Sequence, residues 1–133
     1  MTVWKSDLAY SKDYGDGNVP KGMVLASKAV FTTASVLQNE TVLLNPIPEG
    51  ATVLDVIIQG SAGTASLSVD VGDGTTVDKF IDGATATAAF MARLSNAGGV
   101  GVTYDADGHI VAKFLGAAPD DDIVITCTVL YTM

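Results

Sequence analysis

Few side chains in these 133 residues are equipped for chemistry: one histidine, His109, one cysteine, Cys127, and carboxylates gathered in short runs. His109 closes Tyr104-Asp-Ala-Asp-Gly-His109, which sets Asp105 and Asp107 where they could orient an imidazole in a Ser-His-Asp relay. Such a relay also needs a nucleophile held on a sharp strand-to-helix elbow, and nothing in the sequence marks one. The same run offers part of a calcium loop, since a hard cation needs converging oxygens and a tight turn, but it lacks the third acidic position and the distal Glu. Asp-Gly between two alternating apolar runs is a hairpin signal in its own right. The turn reading is therefore preferred, with His109 on an exposed strand edge. Asp70-Val-Gly-Asp-Gly74 and Asp120-Asp-Asp122 are read alike, as solvated loop acids. Cys127 falls on the apolar side of an alternating run, where a free cysteine behaves as a small hydrophobe.

The glycine motifs fail in a similar way. Gly17-Asn-Val-Pro-Lys-Gly22 begins like a phosphate loop, but Met23 and Val24 follow where Lys and Ser or Thr would have to reach phosphate and magnesium. Gly98-Gly-Val-Gly101 lacks the third glycine and the strand-to-helix setting of a dinucleotide site. Asn39-Glu-Thr41 matches a glycosylation sequon, which has no consequence without export, and the opening Met1-Thr-Val-Trp-Lys-Ser-Asp lacks the basic-then-apolar order of a secretory signal. The residues thus predict no catalytic set, no metal site and no cofactor.

The elements that would carry these side chains follow from composition and spacing. The length suits one domain, and 48% apolar against 17% charged residues predicts a buried core. No apolar run reaches the roughly 18 residues that span a bilayer. The single cysteine excludes an internal disulfide and fits folding in a reducing compartment. With seven Lys and Arg against fifteen Asp and Glu, the net charge of -8 disfavours nucleic acid as a partner. The charge is uneven: Lys5, Lys12 and Lys21 balance Asp7, Asp13 and Asp16, so the excess lies from position 22 onward.

That neutral first segment, residues 1–21, reads as an extended arm. Trp4, Tyr10 and Tyr14 stand among polar residues with neither helical nor alternating spacing, and Gly15-Asp-Gly-Asn-Val-Pro20 would end any regular element. Aromatics on such an arm contribute most when laid into a groove of a partner or sister subunit, so Trp4, Tyr10 and Tyr14 are the candidate partner-binding residues; the arm folding back on its own domain is the competing reading. The body, residues 22–133, has period two. Leu67, Val69 and Val71 alternate with Ser66, Ser68 and Asp70; Ile123, Ile125, Cys127, Val129 and Tyr131 share one face; Leu54, Val56 and Ile58 form another inward set. Residues 23–33, 41–45, 100–104 and 109–115 are further strands, with Asn45 to Gly50 as a turn, for about seven in all. The inward sets and Phe114 make up the expected core. One segment, 83–95, is rich enough in alanine to predict a short helix. The expected fold is all-β, a single β-sandwich or jelly-roll-like domain with an extended N-terminal arm and at most one short helix.

One stretch carries a family association. Pro48-Glu-Gly-Ala-Thr-Val-Leu-Asp-Val-Ile-Ile58, then Ser66-Leu-Ser-Val-Asp-Val-Gly-Asp-Gly74, then Val77-Asp-Lys-Phe-Ile-Asp-Gly-Ala84 resembles a pattern of small tailed-phage virion proteins: a strand after a proline turn, a strand ending in Val-Gly-Asp, and an Asp-Lys-Phe segment leading into alanines. The last strand, Ile123 to Tyr131, is similar to the closing strand of such proteins. The resemblance implies a virion structural protein made in the host cytoplasm, foremost a capsid decoration or cement protein, with a neck or tail component as the alternative. Its implied partners are the major capsid protein or other virion proteins and further copies of itself, with no nucleic acid and no membrane. The rival from another class is a β-sandwich module for carbohydrate or a host surface, for which the aromatic supply is thin, with Trp4 the one indole. A hydrolase is the weaker rival.

Overall fold

A computed structural model describes the backbone of residues 3–5 and all of residues 24–133. Nine strands lie in these residues: β1 (Val3–Lys5), β2 (Val24–Thr32), β3 (Thr41–Ile47), β4 (Thr52–Gly60), β5 (Ser68–Gly72), β6 (Ile81–Thr85), β7 (Phe90–Arg93), β8 (Gly108–Leu115) and β9 (Val124–Thr132), with one 3-10 turn at Ala97–Gly99. They form a five-stranded sheet ordered β1-β3-β8-β5-β6 and a four-stranded sheet ordered β2-β9-β4-β7. Every pairing is antiparallel except β1 with β3. From β2 to β9 each connection crosses between the sheets except the β5-β6 step, which is the strand order of an eight-stranded jelly roll. The all-β expectation holds, and the jelly-roll alternative within it is the one the chain adopts.

Alternation explains most of the burial. Ile123, Ile125, Cys127, Val129 and Tyr131 are all buried, as are Leu67, Val69, Val71, Val56, Ile58 and Phe114. Phe80 and Phe114 are the largest fully buried side chains, and they fill the space between the sheets.

Four expectations fail, each for a local reason. Leu54 is 42% exposed, because the pairing of β4 with β9 shifts between Val53 and Asp55; this bulge turns Val53 inward with Val56 and Ile58 and sends Leu54 out. The Asp55 carboxylate accepts from the Val56 backbone N–H at 2.9 Å and so closes the bulge. The segment 83–95 is not helical but forms the end of β6 and all of β7. Gly83 takes φ +70 within an irregular step of the β5-β6 pairing, and residues 86–88 lie so close to Gly63 that a Cβ there would sit 2.2 Å from the Ala88 nitrogen. Alanine's modest helix preference is outweighed by this packing. Asn45 to Gly50 is a turn only from Pro48, since β3 runs through a bulge to Ile47, and Pro46 is tolerated because β1 reaches no further than Leu43. Residues 100–104 add only a bridge from Thr103 to Thr52.

The bulge in β3 has a purpose in the packing. It brings Asn45 into the core, where its amide donates to the Ser27 carbonyl at 3.0 Å, the Ser27 hydroxyl at 3.2 Å and the Cys127 carbonyl at 3.1 Å. One side chain of the five-stranded sheet thus grips β2 and β9 of the other.

The β4 bulge is testable by paired substitutions. Val56→Asp places a carboxylate in the core and is expected to cost several kcal/mol, while Leu54→Asp, two residues away, stays within about 0.5 kcal/mol. Urea unfolding midpoints separate the two; equal losses contradict the register.

Candidate functional site

Sequence reasoning singles out Trp4, Tyr10 and Tyr14. Trp4 lies in β1, where Val3, Trp4 and Lys5 pair in parallel with Thr41, Val42 and Leu43, at the margin of the five-stranded sheet. A short strand at a sheet margin presents backbone donors and acceptors to whatever comes next. Tyr10 and Tyr14 fall outside the described residues. The pairing of β1 with β3 has no signal in the sequence, because three residues are too few to show a period.

The carboxylates converge at one end of the sandwich without forming a ligand set. Asp73, Thr75 and residues 102–108 line a cleft of about 290 Å³. Two of its three acids are engaged locally: Asp73 accepts from the N–H groups of Thr75 at 3.0 Å and Thr76 at 2.8 Å, and Asp107 accepts from the Glu49 N–H at 2.8 Å. Among the described residues no three His, Cys, Asp or Glu side chains stand together as they would around a metal ion. The triplet at 120–122 is a fastening as well as a charge run. Asp121 accepts from the Ser35 N–H at 2.8 Å, and the Thr33 hydroxyl donates to the Asp120 carbonyl at 2.6 Å while accepting from the Ile123 N–H at 2.9 Å.

His109 is half-buried on β8, an interior strand between β3 and β5, which corrects the expected exposed strand edge. Tyr104 is buried beside it and donates its hydroxyl to the His109 carbonyl at 3.0 Å. Burial raises the Tyr104 phenol, with Asp73 and Cys127 adding to the effect, so the ring stays a neutral donor. Burial likewise pushes the Cys127 thiol up to about 12, which leaves almost no thiolate at neutral pH. Tyr131 is raised by the same cause.

Asp70 is the other departure. Alternation places it in water opposite Val69 and Val71, yet it is buried on the outer side of β5. Its carboxyl lies above the usual carboxylate value, first through desolvation and then through the nearby charges of Asp82 and Asp78. The Gly83 N–H, donating to it at 2.7 Å, and Lys113 across the β5-β8 pair act in the opposite direction.

These shifts give two expected outcomes. A raised acid favours the protonated folded state, so the Asp70 charge costs nothing well below the ordinary carboxylate value of 3.8, and the cost develops as pH rises from there through the folded value. Asp70→Asn keeps an acceptor for Gly83, and its stability relative to wild type should improve from acid to neutral pH; an unchanged difference contradicts the assignment. For Cys127, a maleimide or disulfide reagent should react only at the rate of unfolding, and rapid labelling of the folded protein would contradict its burial.

No family model matches the sequence, and no curated protein matches it. Solved structures do share the fold. A chain from the capsid of Ralstonia phage GP4 superposes with a TM-score of 0.83 over 99% of this chain and 98% of its own, at 16% identity. A chain from the capsid asymmetric unit of cyanophage Pam1 gives 0.69 over 90% and 91%, at 18% identity. One from an acid-stable capsid structure of Helicobacter pylori bacteriophage KHP30 gives 0.59 over 86% and 90%, at 19% identity.

Proposed function

We propose that this chain is a structural protein of a phage virion, made in the host cytoplasm, that decorates the head by binding the outside of its protein lattice. The observation that carries the reading is the likeness to a phage-capsid chain along 99% of this chain and 98% of the other, which extends beyond the core strands. The partner is the major capsid protein or another virion protein, together with further copies of this chain.

The physical arrangement favours binding over catalysis. Association needs an apolar anchor within satisfied polar surroundings, and the arm with Trp4, Tyr10 and Tyr14 offers three aromatic ones. Two of the three carboxylates of the loop cleft, Asp73 and Asp107, are occupied by backbone N–H groups. A net charge of -8 suits a position outside the shell, away from the packaged genome. Contacts that are individually modest hold firmly when a repeated lattice presents them many times.

Purified protein mixed with undecorated heads of the phage that encodes it should bind to saturation and raise the temperature at which the heads open. Removing residues 1–21 should weaken uptake at least tenfold while leaving the far-ultraviolet β signal intact. Full-length protein that neither binds nor stabilises the heads contradicts the reading, and recovery of the chain in neck or tail fractions replaces it with the alternative position.

A further inference from the structure

Asp-Gly is a step at which a protein chain can rewrite its own backbone. The glycine nitrogen attacks the carboxyl carbon of the aspartate side chain, a C–N bond forms, and the amide proton and the carboxyl OH leave as water. Water then opens the five-membered imide to isoaspartate, which reroutes the main chain through the side chain and lengthens it by one carbon. Glycine favours the attack because it has no Cβ to hinder it. Three such steps lie among the described residues: Asp73-Gly74, Asp82-Gly83 and Asp107-Gly108.

Two of them are restrained at the carboxyl. Asp73 is held by the Thr75 and Thr76 N–H groups and Asp107 by the Glu49 N–H, so each carboxyl is tied to backbone other than that of its own glycine. Asp82-Gly83 differs. Both residues are exposed, and the Asp82 carboxylate makes no hydrogen bond or ion pair among the described residues. Position adds to the hazard. β6 is the margin of the five-stranded sheet, and its pairing with β5 passes from Val69 with Ala84 to Val71 with Ile81, so Asp82 and Gly83 together stand opposite Asp70. Two residues against one leave ladder groups unpaired, and Gly83 takes φ +70 there. A side chain supplies the missing partner. The Asp70 carboxylate, only 6% exposed, accepts from the Gly83 N–H at 2.7 Å, a length usual for hydrogen bonds to a charged acceptor.

We propose that Asp82-Gly83 is a latent isoaspartate site and that Asp70 keeps it closed by pinning the attacking nitrogen. For the ring to form, the Gly83 peptide must turn toward the Asp82 carboxyl and its nitrogen must give up its proton. The bond to Asp70 opposes the turn and keeps the proton engaged. It also gives the buried acid a role, since a carboxylate withdrawn from water on the outer side of a sheet costs free energy. Isoaspartate at Asp82 would shift everything beyond it in β6 out of register with β5. Slow damage of this kind matters most for a protein that is not replaced once its particle leaves the host, so the role suits the proposed function without depending on it.

Ageing the full chain for weeks at neutral pH, with isoaspartate located by mass spectrometry, tests the assignment. The wild type should isomerise at Asp82 at least tenfold more slowly than the free peptide Lys79-Phe-Ile-Asp-Gly-Ala-Thr-Ala86. Asp70→Val replaces the carboxylate with a side chain suited to a strand and leaves the exposed Gly83 N–H to water. It should raise the rate at Asp82 at least fivefold and leave Asp73 and Asp107 unchanged. Asp70→Asn keeps an acceptor and should stay within about twofold of wild type. Amide hydrogen exchange of the wild type decides the matter if circular dichroism shows Asp70→Val misfolded: Gly83, exposed yet pinned, should exchange at least tenfold more slowly than in the free peptide. A wild-type rate equal to that of the peptide, an unchanged or lower rate at Asp82 in folded Asp70→Val, a rise shared equally by all three steps, or freely exchanging Gly83 overturns the proposal.

Discussion

Strand β9 sets the register on which the sandwich rests. It pairs with β2 along nine positions and with β4 on its other side, and its odd-numbered residues from Ile125 to Tyr131 all enter the core. A slip by one residue would bring out Ile125, Cys127, Val129 and Tyr131 and bury Thr126, Thr128 and Thr132, so the hydrophobic pattern leaves a single stable pairing. The neighbouring strands inherit that register. The Asn45 amide then ties it to the opposite sheet, because its bond to the Cys127 carbonyl is made only when β9 is correctly seated. In this core the polar contact fixes position, while apolar burial supplies most of the stabilisation.

Three irregularities adapt the jelly roll to this chain. The β4 bulge rotates Leu54 outward, the β3 bulge turns Asn45 inward, and the step between β5 and β6 lets Gly83 donate to the buried Asp70 carboxylate. In each case an Asp or Asn side chain engages backbone at or across the irregularity. Short polar side chains of this kind can replace the ladder hydrogen bonds that a bulge disrupts.

The strands with clean alternation could be read directly from the residues: β2, β5, β8 and β9 fall within a residue or two of their expected ranges, and their inward faces follow. Leu54 could not be assigned, since a bulge changes the parity of a strand without changing its composition. The alanine run predicts a helix that the chain does not form, because its conformation is dictated by close packing on Gly63 and by Gly83, contacts remote from local propensity. Of the candidate site, Trp4 sits on a described strand margin, but its pairing with β3 joins residues far apart in the chain and leaves no local trace.

A core made by alternation, an acidic surface and an aromatic arm suit the proposed role of covering a repeated surface. Electron cryomicroscopy of intact particles of the encoding phage tests this most directly. The proposed role predicts density for this jelly roll on the outside of the head, recurring at equivalent lattice positions with its acidic loops facing solvent. Particles that lack the chain, or that hold it inside the shell against the genome, contradict it.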